Sequence, residues 1–271
     1  MRLRLIFALA SLAVLTAGCS GDSADKSDSG SAGAEGTDGS DGEDDGSDGG
    51  TVEPVYPTGS RVLLYYGNGG FAPAGDTGEF TNYEALIEGS TDWLVDHRDA
   101  WTEDLSDYRV VIFLAMGHDG GELLTDDELQ TLVDANAAGT RLVFAADVDS
   151  CDSAVMADTL SRLGVGISYT GEAPDASYVA VVSGDDLSPN HQLTAGLEEV
   201  RFRAPCWVSG GSPIAQASNN NAVVASQLMP SGGEVIVMGD FGVIDDAGDL
   251  EREDLDNAAF GIQLAAVDPS L

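Results

Sequence analysis

The chain has 271 residues, with 47 Asp and Glu against 11 Lys and Arg, for a formal net charge of −36. That balance excludes a nucleic-acid binder that neutralises phosphates and a membrane-surface binder built on a polybasic patch, since both need a basic face. An apolar fraction of 43% with 7% aromatics excludes a chain that is disordered throughout.

Composition then divides the chain into residues 1–18, 19–52 and 53–271. The first piece carries Arg2 and Arg4, followed by an apolar run from Leu5 to Ala17 broken only by Ser11 and Thr16, with no acid before Asp22. A basic start and a short apolar core describe a secretory signal, because a bilayer span needs about 20 residues. The run ends Leu15-Thr16-Ala17-Gly18-Cys19, which resembles the lipobox of bacterial lipoproteins, with Thr16 where that family usually has Leu. The resemblance implies a diacylglycerol on the Cys19 thiol and cleavage before it. Ser20, rather than Asp, follows the cysteine, which in that family implies an outer-membrane destination, facing the periplasm or the cell surface. The acyl chains would hold the protein to the bilayer.

From Ser20 to Val52 the sequence holds ten acids, nine Gly, seven Ser, one base (Lys26) and no aromatic residue. Such a segment cannot bury enough apolar surface to offset chain entropy and is expected to be a disordered tether, spanning roughly 30 Å as a coil. Its Asp-Gly steps match neither an EF-hand loop nor a calcium-binding nonapeptide repeat.

Residues 53–271 hold 37 acids and eight arginines, a net of −29. The periodicity alternates between strand and helix. Arg61–Tyr66 is a continuously apolar strand ended by Gly67-Asn68-Gly69-Gly70, and a helix is predicted from about Tyr83 to Asp96 with Leu86, Trp93 and Leu94 on one side. Arg109–Ala115 is a second buried strand, stopped by Met116-Gly117-His118. Thr125-Asp126-Asp127-Glu128 reads as a capping box opening a helix with Leu129, Leu132 and Val133 inward, closed by Gly139. Arg141–Ala146 is the third strand, followed by a helix over about Ser153–Leu163. Between Gly166 and Leu228 the runs become shorter and alternating (Tyr178–Val182, Glu199–Arg203, Ile214–Ala217, Ala222–Gln227). Glu234–Gly239 then returns to the buried style, and Asn257–Val267 closes the chain as a helix. The expected fold is α/β: a mostly parallel sheet flanked by helices, flavodoxin-like, with a small antiparallel insertion between the third and last core strands.

Tyr108–Leu114 before a capped helix and Gly139–Phe144 after it resemble the middle of class I glutamine amidotransferase-like domains. Asn190-His191-Gln192-Leu193-Thr194-Ala195-Gly196-Leu197 is similar to the His-Pro-Leu-Thr-x-Gly-Leu turn of their trehalose-utilisation-like and gliding-associated relatives, with Gln192 in place of Pro. Gly233–Phe241, followed by Asn257 and an apolar helix, resembles their final strand and helix. The resemblance covers most of residues 60–267 and speaks to fold more than to activity. The catalytic branch places a nucleophilic Cys on a tight turn directly after the strand matched by Leu142–Ala146. Here Cys151 arrives about four residues late, among Asp147, Asp149 and Asp152, whose charge disfavours a thiolate. The elbow and its amidotransferase activity are therefore expected to be missing.

With Cys19 lipidated, Cys151 and Cys206 remain, and a disulfide between them is favoured over unpaired structural cysteines or a nucleophilic Cys151. Among the three histidines, His97 reads as a surface residue near a helix end. His118 and His191 could face the crevice at the sheet's carboxyl edge, although turn or capping roles are the commoner use. No zinc spacing is present, and Gly67–Gly70 fails the dinucleotide pattern because Ala72 stands where its last Gly would fall. No cofactor is expected.

The remaining signal is a set of acids at predicted strand ends: Asp119, Asp147, Asp149, Asp240, Asp245, Asp246 and Asp249. Asp147, Asp149, Asp245 and Asp246 are the candidate ligands of a divalent metal, against a background of abundant acids. Two functions are expected on these grounds. One is a lipid-anchored, non-catalytic binding or scaffolding module that meets an envelope or extracellular protein or glycan. The other is a hydrolase or carbohydrate-active enzyme using His191 with Asp147 and Asp240. Two carboxylates and a histidine within hydrogen-bond reach of one another would favour the enzyme.

Overall fold

The computed structural model describes residues 54–55, 58–71, 80–173, 177–217, 220–245, 250 and 256–266, all within one compact unit, Gly49–Leu271. Cys19, the acidic segment, Asp246 and Asp249 lie outside the described residues. The chain forms β1 (Arg61–Tyr65), α1 (Thr81–Ser90), β2 (Leu94–Arg98), β3 (Tyr108–Leu114), α2 (Asp126–Ala137), β4 (Arg141–Ala145) and α3 (Ala154–Arg162). It continues through β5 (Ser168–Glu172), β6 (Val179–Ser183), β7 (Glu199–Arg203), β8 (Cys206–Ser209), β9 (Ser212–Gln216), β10 (Ala222–Leu228), β11 (Glu234–Met238) and α4 (Asn257–Ala265).

The result is a mixed α/β fold with a large, mostly parallel sheet flanked by helices. The strand order is β2-β1-β3-β4-β11-β10-β8-β5, with β9 also paired to β10. The first five strands run parallel, and the pairs from β11 outward are antiparallel. The continuous apolar runs of β3 and β4 are buried along their whole length, as expected of strands covered on both faces. Successive side chains point to opposite faces. Val62, Leu64, Ile112 and Val143 meet Tyr83 and Ile87 of α1 and Phe260 and Leu264 of α4. Leu63, Phe113, Phe144 and Val237 meet Leu132 of α2 and Met156 and Leu160 of α3 on the other side. Phe113 and Phe144 stack across adjacent strands at 4.7 Å.

The structure differs from the sequence reading in three places. The helix predicted to reach Asp96 stops at Ser90, and Leu94–Arg98 is instead the edge strand β2, parallel to β1. Thr91 explains the stop: its hydroxyl donates to the Ile87 carbonyl and accepts the Trp93 amide, a local alternative to further helix. Tyr83 and Ile87 are the buried residues of α1, whereas Leu86 and Trp93 pack against the same core while partly buried. The Trp93 ring centroid lies 3.7 Å from the Arg109 guanidinium, and Leu94 is exposed. In α2 the capping box forms, but Leu132, Ala135 and Asn136 face inward while Val133 is exposed. The antiparallel part is not a small appendage either. Only β6 and β7 stand apart as a ribbon, and the other antiparallel strands lengthen the main sheet. β5 and β8 carry little sequence signal because one is polar (Ser-Tyr-Thr-Gly-Glu) and the other is four residues long.

Candidate functional site

Two places gather chemistry-bearing side chains, at opposite edges of the parallel strands. The carboxyl edge collects the loops that leave β1, β3, β4 and β11. Gly67–Gly70 and Met116–Gly121 interlock there, with Gly117 N donating to Asn68 O and Asp119 N to Gly69 O. Asn68, at φ 53, is held by the Tyr65 hydroxyl and donates to Glu122 O. A Cβ on Gly69 would stand 1.8 Å from Gly120 O, so the glycines serve the interlock of two loops rather than a phosphate cradle. His118 lies beside Phe71, which in turn packs on Phe241 at 4.9 Å. Its Nδ1 is buried with no hydrogen-bond partner among the described residues.

Asp147 caps the short turn after β4. Its carboxylate accepts Val148 N at 2.7 Å while the Ser150 hydroxyl accepts Asp147 N. Burial pushes the Asp147 carboxyl above the usual carboxylate range, and neighbouring Asp149 adds to this against the Val148 amide, His118 and Arg203. Asp240 is 2% exposed, and its two oxygens accept Gly242 N and Arg203 N, so it fixes the turn after β11 and ties it to β7. Asp149 and Asp119 point to solvent, and Asp245 is buried beyond the turn. Among the described residues no group of three or more His, Cys, Asp or Glu is arranged to hold a metal ion.

Cys151 and Cys206 form the disulfide, with Cα atoms 5.3 Å apart. It joins the segment after β4 to the first residue of β8, so the thiol nearest the position of a nucleophile is covalently committed.

His191 is elsewhere. Its Nε2 lies 2.9 Å from Glu234 Oε1, at the first residue of β11, whereas Asp240 lies beyond the last. The six residue steps from Glu234 to Asp240, along β11 and the two residues after it, separate those acids by about 20 Å. The structure therefore brings Asp147 and Asp240 to one edge and His191 to the other. Leu193 N donates to His191 Nδ1, which assigns the ring proton to Nε2 and aims it at Glu234. Sequence reasoning missed the group that Glu234 completes. Arg141, 2% exposed, donates its Nε to Glu234 Oε2 at 2.8 Å and its Nη1 to the carbonyls of Gln263 and Leu264 at the end of α4. Burial pushes the Glu234 carboxyl up, but the Arg141 guanidinium and the His191 hydrogen bond outweigh it and hold it at about 2. A cavity of about 240 Å³ opens beside this group, lined also by Val55, Asn190, Gln192 and Leu228. His97, expected at a helix end, sits on β2 with Nε2 3.2 Å from Glu84 of α1.

Comparison with solved structures supports the fold alone. The mmIFT52 N-terminal domain matches at 14% identity with a TM-score of 0.59, covering 78% of this chain and all of that one. Cytoplasmic protein STM1381 from Salmonella typhimurium LT2 matches at 12% identity and a TM-score of 0.53, covering 76% and 98%. A ThuA-like protein from Bacteroides uniformis matches at 14% identity and a TM-score of 0.47, covering 80% and 94%. No curated protein matches the sequence. The family model described as domain of unknown function DUF4350 matches residues 89–265, from the end of α1 to the last residue of α4. The chain belongs to the DUF4350 family.

Proposed function

We propose that this protein is a lipid-anchored extracytoplasmic module, with a domain of the class I glutamine amidotransferase-like kind, that binds or scaffolds an envelope or extracellular partner rather than catalysing a reaction. The observation that carries the reading is the separation of the candidate groups. His191 is engaged on both nitrogens at the amino edge, Asp240 is used on two backbone amides at the carboxyl edge, and Cys151 is in a disulfide. An acid–base pair needs its members within about 3 Å of a shared reacting atom, which this arrangement does not offer to His191. The anchor and outer-membrane placement rest on Cys19, Ser20 and the acidic segment after them, all outside the described residues.

The test is intact mass with thiol alkylation on protein extracted from membranes without reductant. A chain beginning at Cys19, carrying acyl mass and no alkylatable thiol, is the expected result. An unacylated chain, or one with a reactive Cys151, overturns the reading.

One observation favours the second function, a hydrolase at the carboxyl edge: among the described residues His118 has a buried nitrogen without a partner, on the edge where burial raises the Asp147 carboxyl above its usual range. The pair available to such an enzyme is His118 with Asp147, not His191. Screening hydrolysis of glycosides and esters with wild type and His118→Ala separates the two functions: activity lost in the variant establishes the enzyme, and none in either protein supports the module.

A further inference from the structure

A groove of about 510 Å³ runs between α3 and the segment leading into β5. Its floor is apolar: Leu160, Val165 and Ile167 are each less than 10% exposed, and Cys151 of the disulfide joins them. Its rim is small and neutral, formed by exposed Ala157, Ser161, Gly166 and Ser168. The groove exists because nothing at those positions is large enough to fill it. Gly164 contributes in the same way: it ends α3 at φ 75, where most side chains would be strained, and the space a Cβ would enter is open.

The one charged residue on the lining is Asp152, exposed at the start of α3. The ordinary use of an acid there is to cap the helix, but Ser153 already does so through its hydroxyl to Met156 N. Among the described residues no hydrogen bond or ion pair engages the Asp152 side chain.

We propose that this groove binds a small organic cation, an apolar or aromatic body bearing a single ammonium group. The floor takes the body and Asp152 takes the charge. The volume falls in the range of small-molecule sites, about 300–1,000 Å³. An anionic ligand would meet both Asp152 and the field of a domain with 37 acids and eight arginines. A neutral one would use the apolar floor but gain nothing from Asp152. The inference goes beyond the tethered-module reading and does not depend on the anchor.

The experiment is a fluorescence titration of the chain from Ser20 onward, which carries neither the apolar run of residues 5–17 nor an acyl group and needs no detergent. It is run in about 0.5 M NaCl, where the Debye length is about 4 Å and diffuse attraction to the acidic surface is screened. The probes are dansylcadaverine (an ammonium), its N-acetyl derivative (neutral) and dansyl-6-aminohexanoate (a carboxylate). Dansylcadaverine should bind saturably and at least tenfold tighter than either control. Asp152→Asn should bring the three affinities within about twofold. Ala157→Leu, on an exposed helical site that accepts Leu readily, should weaken all three at least tenfold, and Ser161→Leu on the next turn is the second blocking variant. No saturable binding of dansylcadaverine, an undiminished preference in Asp152→Asn, or unchanged affinity in the folded blocking variants would each overturn the proposal. The mass and alkylation result is unaffected by any of these outcomes, so the two readings fail separately.

Discussion

Arg141 and Glu234 open two neighbouring parallel strands, and the register pairs Leu142 with Val235 immediately after them. Placed there, a base and an acid that each introduce an apolar run become partners in the interior, and the guanidinium also gathers the last carbonyls of α4. Removing the carboxylate leaves Arg141 buried with part of its charge uncompensated, a change that costs about 3–5 kcal/mol in comparable pairs. Glu234→Gln should therefore lower the unfolding free energy by a few kcal/mol, read by denaturant titration at pH 7. The pH dependence has a definite sign. Glu234 titrates at about 2 in the folded chain and near 4.5 when unfolded, so its contribution is complete above about pH 4.5 and is lost as pH falls toward 2. The shift corresponds to about 3 kcal/mol. Wild type should lose stability faster than Glu234→Gln across that window, and parallel curves for the two proteins would refute the role given to this carboxylate. The acid and the base were each visible in the sequence, but their partnership was not, because strand adjacency is a property of the sheet.

At the scale of elements, the Thr125–Glu128 box is a local device that acts locally. The Thr125 hydroxyl accepts Glu128 N while the Glu128 carboxylate accepts Thr125 N at 2.7 Å. Thr125→Ala should cost about 1 kcal/mol without changing the fold, and Thr125→Ser should restore most of it. A chemical denaturation series of the three proteins checks this; equal midpoints would show that α2 is held by its buried face alone. Elements of this kind were legible in the sequence: the box, the left-handed Gly139 that ends α2, and the buried runs of β1, β3, β4 and β11 each carry their signal within a few residues. Elements whose form depends on a distant partner were not. Leu94–Arg98 reads as the tail of a helix until β1 offers it an edge, and Ser168–Glu172 has no strand signature without β8 beside it. The candidate site divides in the same way. The disulfide could be expected from the two cysteines left after Cys19, and the gathering of Asp147 with Asp240 from strand ends, because ends of parallel strands share an edge. The displacement of His191 could not, because it sits on the long connection between β6 and β7, whose path across the molecule no periodicity records.

For the whole molecule, two long-range forces act in opposite directions. The disulfide closes a loop of 55 residues and, in the chain-entropy model, contributes about 4 kcal/mol by restricting the unfolded state. The paired substitution Cys151→Ser with Cys206→Ser should remove most of that, and a change below about 1 kcal/mol would mean that packing around β8 holds the insertion without it. Against this works the charge. The described residues alone bring 27 acids and seven arginines into one body, and several arginines are already committed, Arg61 to Asp96, Arg141 to Glu234 and Arg162 to Asp126 and Asp158. The repulsion that remains is between surface carboxylates, where ions reach it: the Debye length falls from about 30 Å at 0.01 M salt to about 3 Å at 1 M. Unfolding spreads those charges apart, so screening stabilises the folded state more than the unfolded one. The melting temperature should rise by several degrees between 0.01 and 1 M NaCl, most steeply at the low end where the screening length shrinks fastest. Chloride and sulfate at equal ionic strength separate this from solute exclusion, which favours sulfate and grows at high concentration. A melting temperature that is flat or falling with NaCl would show that the acidic surface is already neutralised within the fold. The buried Arg141–Glu234 pair should be nearly indifferent to the same salt, so the loss caused by Glu234→Gln should stay constant while the melting temperatures of both proteins climb together.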